Sequence, residues 1–312
     1  MTLALAHETR YDYSAPVTLA HHLAHLRPMQ DAHQQLLDFT LQVDPAPSQR
    51  RDSLDWMGNA QLHFSLVQPH QHLHVCATSR VQVQPRFDGL RAEASPAWDE
   101  VAARLRYVAR AAFVPQLEFA LPSPYVPRLP ELRDYAAPLF VPGRPLAELA
   151  IELMRRVHAD FRYESRSTEV DTPLAQVIAE RRGVCQDFAH LMAGMLRMFG
   201  VPARYASGYL MTQAPEGGAV LQGTDASHAW VQVWCPGTPG VPDEGAAAGW
   251  LDLDPTNDIV PGAGHVRLAI GRDFGDVTPL RGVIRGGGRH TLAVGVDLSP
   301  VRAEATAGPV SC

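Results

Sequence analysis

Three stretches within the first 85 residues alternate apolar and polar positions with a period of two: LDFTLQVDPAP, AQLHFSLVQP and HLHVCATSRVQVQP. That spacing predicts half-buried β-strands, because successive side chains of a strand point to opposite faces. DWMGNAQ, which carries Gly58-Asn59, supplies a turn between two of them. From Ser95 the period changes. SPAWDEVAARLRYVARAAF opens on Ser-Pro and spaces Val101, Leu105 and Val108 as a helix does. A proline-rich connector follows from Pro122 to Pro145 and reads as a boundary wrapped over a surface. PLAELAIELMRRVHADFRY then predicts a second long helix with Leu146, Leu149, Leu153 and Val157 broadly on one side.

Beyond residue 170 the chain alternates helices and strands. TPLAQVIAERRG and the run after Cys185 read as helices, and ARYASGYLMT, HAWVQVWC and GWLDLDPT as strands rich in aromatic and β-branched residues. CPGTPGVPDEGAAAG is the loop joining the last two, and RGGGRHTLAVGVDLSPV offers one more strand after a glycine hinge. The expected organisation is an α+β chain. It has an antiparallel β domain over residues 1–88, a helical and Pro-rich connector over 89–144, and a catalytic domain over 145–312.

Composition narrows the partners. The chain has 312 residues, 46% hydrophobic and 19% charged, with a formal net charge of -6, which argues against nucleic acid or an anionic membrane as partner. Neither a signal peptide nor a membrane span is legible. All 27 basic residues are arginines, which a GC-rich genome explains without a functional reason. Cys76, Cys185, Cys235 and Cys312 show no CxxC pattern, so neither a disulfide framework nor a zinc ribbon is expected, and a cytoplasmic location follows as the simplest one. His70, His72 and His74 share one face of a presumed strand with Cys76, a spacing that could hold zinc. A solvated strand face is the expected reading, since no acidic residue nearby in sequence completes a ligand set, and no metal or cofactor is expected.

The chemistry centres on RRGVCQDFAHLMAGMLRMFG. Cys185 stands at a helix start, directly after Gly183-Val184, with Phe188, Leu191, Met192, Met195 and Phe199 forming an apolar stripe that would hold the first turn still. The free N–H groups and the positive end of the helix dipole there favour a thiolate and can donate to an oxyanion. His190, five residues on, lies about 140° round the helix and cannot share a face with the thiol. His228 begins one strand and Asp254 ends the next. If those strands form an antiparallel hairpin, the imidazole and carboxylate sit side by side at one rim, where the other ring nitrogen can face the thiol. Asp187 is expected to cap or support the first turn of the cysteine helix.

GVCQDFAHLMAGMLRMFGVPARYASGYL, ASHAWVQVW and GWLDLDPTND together resemble the transglutaminase-like superfamily, and HETRYDYSAPVTLAHHLAHLRP with DWMGNAQLHFSL resembles the N-terminal β domain of its bacterial members. The resemblance implies a papain-like core with a Cys-His-Asp triad, matched here at Cys185, His228 and Asp254. It also implies thiol acyl chemistry on an amide or peptide bond, and it places Tyr163, Arg204, Tyr205 and Tyr209 near the cleft, each expected to serve packing. Hydrolysis of a peptide or protein substrate through a thioester is the first expectation. Acyl transfer to an amine co-substrate, or a non-catalytic binding module on the same fold, are the alternatives.

Overall fold

The computed structural model describes residues 1–301 apart from Tyr107, Ala111, Arg166 and residues 212–226. Cys312 and the last residue of the strand expected at 203–212 therefore lie outside the described residues.

The N-terminal strands are β1 (Thr2–Ala24), β2 (Gln34–Asp44), β3 (Gln49–Leu54), β4 (Ala60–Leu66) and β5 (His70–Val83). They form one antiparallel sheet in the order β2-β5-β1-β4-β3. β1 is long enough to have different neighbours along its length. Its first half pairs with β5 and its end with β4, and the β5 register jumps between Asp12 and Val17. This irregularity lets the sheet fold over on itself, so that Val17, Ala20, Leu62, Phe64, Leu73 and Val75 bury together.

The segment after β5 departs from the expected pattern. The helix expected from Ser95 to Phe113 is cut to α1 (Trp98–Ala103), and Val108 is exposed. The connector is not merely a surface wrap. It contains α2 (Pro130–Ala136), begun by a proline at the first helical position, where a missing N–H costs nothing. Leu132 and Ala136 of that helix are fully buried.

α3 (Leu146–Asp160) and β6 (Arg162–Tyr163) follow, then α4 (Leu174–Glu180), β7 (Arg182–Gly183) and α5 (Cys185–Arg197). Every residue of α5 from Asp187 to Arg197 is buried. The apolar stripe read from the sequence thus understates the helix, which is enclosed by α2, α3 and α4 on one side and strands on the other. Burying Leu191, Met192, Met195 and Leu196 stabilises the assembly by about 2 kcal/mol each.

The strands behind α5 are β8 (Ala203–Leu210), β9 (His228–Trp234), β10 (Trp250–Leu253) and β11 (His265–Gly271). They make a second antiparallel sheet, ordered β10-β9-β8-β11, whose Val231, Val233, Leu251 and Leu253 join the same apolar core as α3 and α5. After the short α6 (Phe274–Val277), β12 (Leu280–Gly286) and β13 (His290–Pro300) are joined through Gly287-Gly288. Both return to β1, pairing Ala20 with Ile284 and Leu5 with Leu298. The strand expected after the glycine hinge is β13; β12, before the hinge, was not expected, and both complete the first sheet.

Between the two sheets, Leu3, Leu5, Val81 and Val83 pack with Tyr209, Val266 and Leu268. His7 spans the same interface, its Nδ1 lying 2.6 Å from the Tyr209 hydroxyl. No helix among the described residues is long and apolar enough to cross a membrane.

Candidate active site

Cys185 is the first residue of α5, and several contacts fix its position. β6 and β7 pair in parallel just before it, and the Glu164 N–H donates to the Gly183 carbonyl at 3.0 Å. Asp187 bends back from the first turn and accepts the Val184 N–H at 2.8 Å and the Thr168 hydroxyl at 2.6 Å. A Cβ at Gly183 would lie 2.7 Å from that carboxylate, so this bend requires glycine. Burial pushes the Asp187 carboxyl above its usual range, against the pull of these two donors. Asp187 is therefore the helix-start support that its position suggested.

β9 and β10 pair antiparallel, with Leu253 opposite Val231. The end of one strand accordingly meets the start of the other. His228 Nε2 lies 2.8 Å from Asp254 Oδ2, with both side chains fully buried. Asp254 also accepts the Thr256 N–H at 3.0 Å, the Asn257 N–H at 3.3 Å and the Asn257 side-chain amide at 2.8 Å. A fifth donor comes from His265 Nε2, at 3.2 Å.

The electrostatics follow from this arrangement. Burial alone would raise the Asp254 carboxyl, but the charge and hydrogen bond of His228, with His265 behind it, hold it far below the usual carboxylate range. Burial alone would lower His228. The Asp254 charge and hydrogen bond outweigh that, the nearby Cys185 thiol adds to them, and the imidazole is held well above its ordinary value. Asp254 therefore occupies the Nε2 edge of the ring, while Nδ1 is buried without a hydrogen-bond partner. Cys185, whose thiol helps to hold the ring charged, also packs in the apolar cluster of Ala189, Tyr205 and Ala229.

Other candidates are placed elsewhere. His190 accepts the Phe274 N–H at 3.1 Å and is lowered to about 3 by burial, which makes it a neutral core histidine. Tyr205 and Tyr209 are buried packing residues. Arg204 stacks over Trp250 at 4.0 Å and donates to Gln232 at 2.6 Å. His74 pairs with Glu8 at 2.7 Å and His72 approaches Asp44 at 3.5 Å, so neighbouring strands supply the acidic partners missing from the local sequence. Cys185 and Cys235 are free thiols. Cys76 is not free, and the expectation of a chain without disulfide chemistry fails there.

Sequence reasoning missed His265. The alternation of Val266, Leu268 and Ile270 signals its strand, but its place against Asp254 depends on β11 pairing with the far side of β8. Among the described residues, His228, Asp254 and His265 are also the group whose ligand atoms converge, all within 4.8 Å of one another. Their mutual hydrogen bonds already satisfy these atoms, so the cluster is complete as a proton-holding unit.

The bacterial transglutaminase-like N-terminal region matches residues 3–82, and the transglutaminase-like superfamily core matches residues 133–255. The chain belongs to the transglutaminase-like superfamily. An uncharacterized Mycobacterium tuberculosis protein is 38% identical over 278 residues, covering 88% of this chain and 84% of that protein. One from Mycobacterium leprae is 30% identical, covering 88% of this chain and 90% of its own length. A crystal structure of a Cytophaga hutchinsonii protein assigned as a cysteine protease covers 100% of this chain and 94% of its own at a TM-score of 0.70 and 20% identity. That likeness extends the shared fold of this superfamily member across both sheets.

Proposed function

We propose that this superfamily member is a cysteine-dependent amidase or peptidase that works through a thioester. The observation that carries the reading is the buried His228–Asp254 pair, set beside a helix start whose first residue is Cys185. His228 takes the Cys185 proton as the sulfur adds to a substrate carbonyl, and N–H groups of the first turn of α5, that of Cys185 among them, hold the oxyanion. The C–N bond then breaks and the amine leaves with the proton from His228. Water attacks the thioester, gives its proton to His228, and the acid product departs as the thiol re-forms. Asp254 keeps the ring oriented and stabilises its charged form throughout.

The test is mass mapping of iodoacetamide alkylation near neutral pH. Cys185 is expected to react faster than free cysteine. Cys235, fully buried with its thiol pushed far up by that burial, is expected to stay unmodified. Cys185→Ala is expected to abolish turnover of peptide amides, and full activity in that variant would end the proposal. A Cys185 no more reactive than free cysteine would favour a binding module on this fold.

Amine acceptors form the second reading. A Pseudomonas aeruginosa protein-glutamine gamma-glutamyltransferase is 33% identical over 122 residues, covering 38% of this chain and 17% of that enzyme. Product analysis with an added primary amine separates the two, because hydrolysis yields an acid and transfer yields a new amide.

A further inference from the structure

We infer that His265 is a positioning residue for Asp254, and that the N-terminal β sheet serves the site by holding the strand that carries it. This rests on the triad reading above and extends it beyond residue 255, where the match to the superfamily core stops.

β11 is an edge strand, so one row of its N–H and C=O groups faces away from β8. No strand among the described residues covers that row. Two carboxamide side chains from the N-terminal sheet region do. Gln34 donates to the Arg267 carbonyl at 2.8 Å and accepts the Arg267 N–H at 2.8 Å. Asn59 does the same at Ile270, again at 2.8 Å in both directions. Each amide thus acts as one residue of an absent strand.

Both clamps are themselves anchored. Asn59 is fully buried and donates to Asp55 at 2.8 Å, and Gln34 also donates to the Met29 carbonyl at 2.7 Å. Asp31 pairs with Arg267 and Arg86, tying the same strand again.

The held strand begins with His265. Its ring is buried, lies edge-on to Trp230 at 5.3 Å and reaches Asp254 Oδ2. With a proton on Nε2, His265 donates to the same oxygen that receives His228. It thereby fixes the carboxylate's rotation and favours its ionised form, which in turn favours the imidazolium on which the thiolate depends.

The experiment reads the alkylation rate of Cys185 by iodoacetamide in the full-length chain, together with kcat and KM on a reactive p-nitrophenyl ester and the melting temperature. His265→Leu is expected to slow alkylation and kcat by about tenfold, the scale of one hydrogen bond to a charged group, with KM little changed. His265→Gln, which can donate to the same oxygen, is expected to recover most of that loss. Gln34→Ala with Asn59→Ala is expected to slow alkylation in the same direction, and to add little when combined with His265→Leu, because both act through one carboxylate.

Wild-type rates in a folded His265→Leu protein would overturn the inference. So would a loss that His265→Gln does not recover, or fully additive effects of the clamp and histidine variants. Should His265→Leu fail to fold, the clamp pair and His265→Gln decide it. If Cys185 of the wild-type chain reacts no faster than free cysteine, the triad reading itself has failed. A fast wild type with an equally fast His265→Leu fails this inference alone.

Discussion

Asp254 accepts five donors, two of them backbone N–H groups that have no lone pair to offer in its place. An amide at this position would set an NH₂ group against N–H groups. Asp254→Asn is expected to lower turnover by on the order of a thousandfold, because His228 loses the partner that holds its charged form. A fall of less than about tenfold in kcat would mean the carboxylate does not act through the ring. At this scale much of the site was legible. Cys185 stands two residues after Gly183 at a helix start, and His228 and Asp254 stand at strand ends, so local order alone brings two of them to one rim. His265 was not legible, because nothing in HVRLAIG says which side of the sheet that strand joins.

Among the elements, β8 shows how closely the site's surroundings are fitted. A Cβ on Gly208 would lie 2.1 Å from the Val266 carbonyl and 2.6 Å from the Trp230 ring, whose indole crosses the strand there. Gly208→Ala is expected to cost about 2 kcal/mol, read as a lower denaturation midpoint with an unchanged slope. The same change should displace Trp230 from His265, and the alkylation rate of Cys185 would follow. Aromatic and β-branched content located three of the second sheet's four strands, β8, β9 and β10, but not β11. Periodicity failed for α2. Proline-rich sequence between Pro122 and Pro145 obscured a helix that Leu132 and Ala136 anchor against α5, where Leu132 would lie 2.8 Å from a Cβ on Gly194. It also failed for α1, whose expected length needed Val108 to find a buried neighbour, and the fold offers it none.

For the whole molecule, buried histidines set the acid limit of stability. Burial lowers His7 to about 4 and His190 to about 3, so the unfolded chain binds protons at these sites before the folded chain does. Stability is therefore expected to fall as pH drops below about 6.5 and to keep falling to near pH 4, with each site contributing up to about 3 kcal/mol. His7→Gln should flatten that limb in urea titrations across the same window. Asp254, held far below its usual range, adds to the acid loss below about pH 4. His228 works in the opposite sense. Its raised value contributes stability that is fully present below about 6.5 and is lost only as pH climbs through the folded value, which places the decline it causes on the alkaline side.

The long first strand has a consequence in time. Leu3 to Tyr11 bond on one edge to Leu73–Val81 and on the other to residues 292–300, far apart in sequence. A ribosome delivers the first partner early and the second more than 200 residues later. Until then the nascent protein carries an open row of backbone donors and acceptors flanked by Leu3 and Leu5, a template that any passing strand can join. Yield during synthesis should therefore depend on how quickly residues 290–300 emerge, a dependence that no property of the finished molecule at equilibrium would reveal.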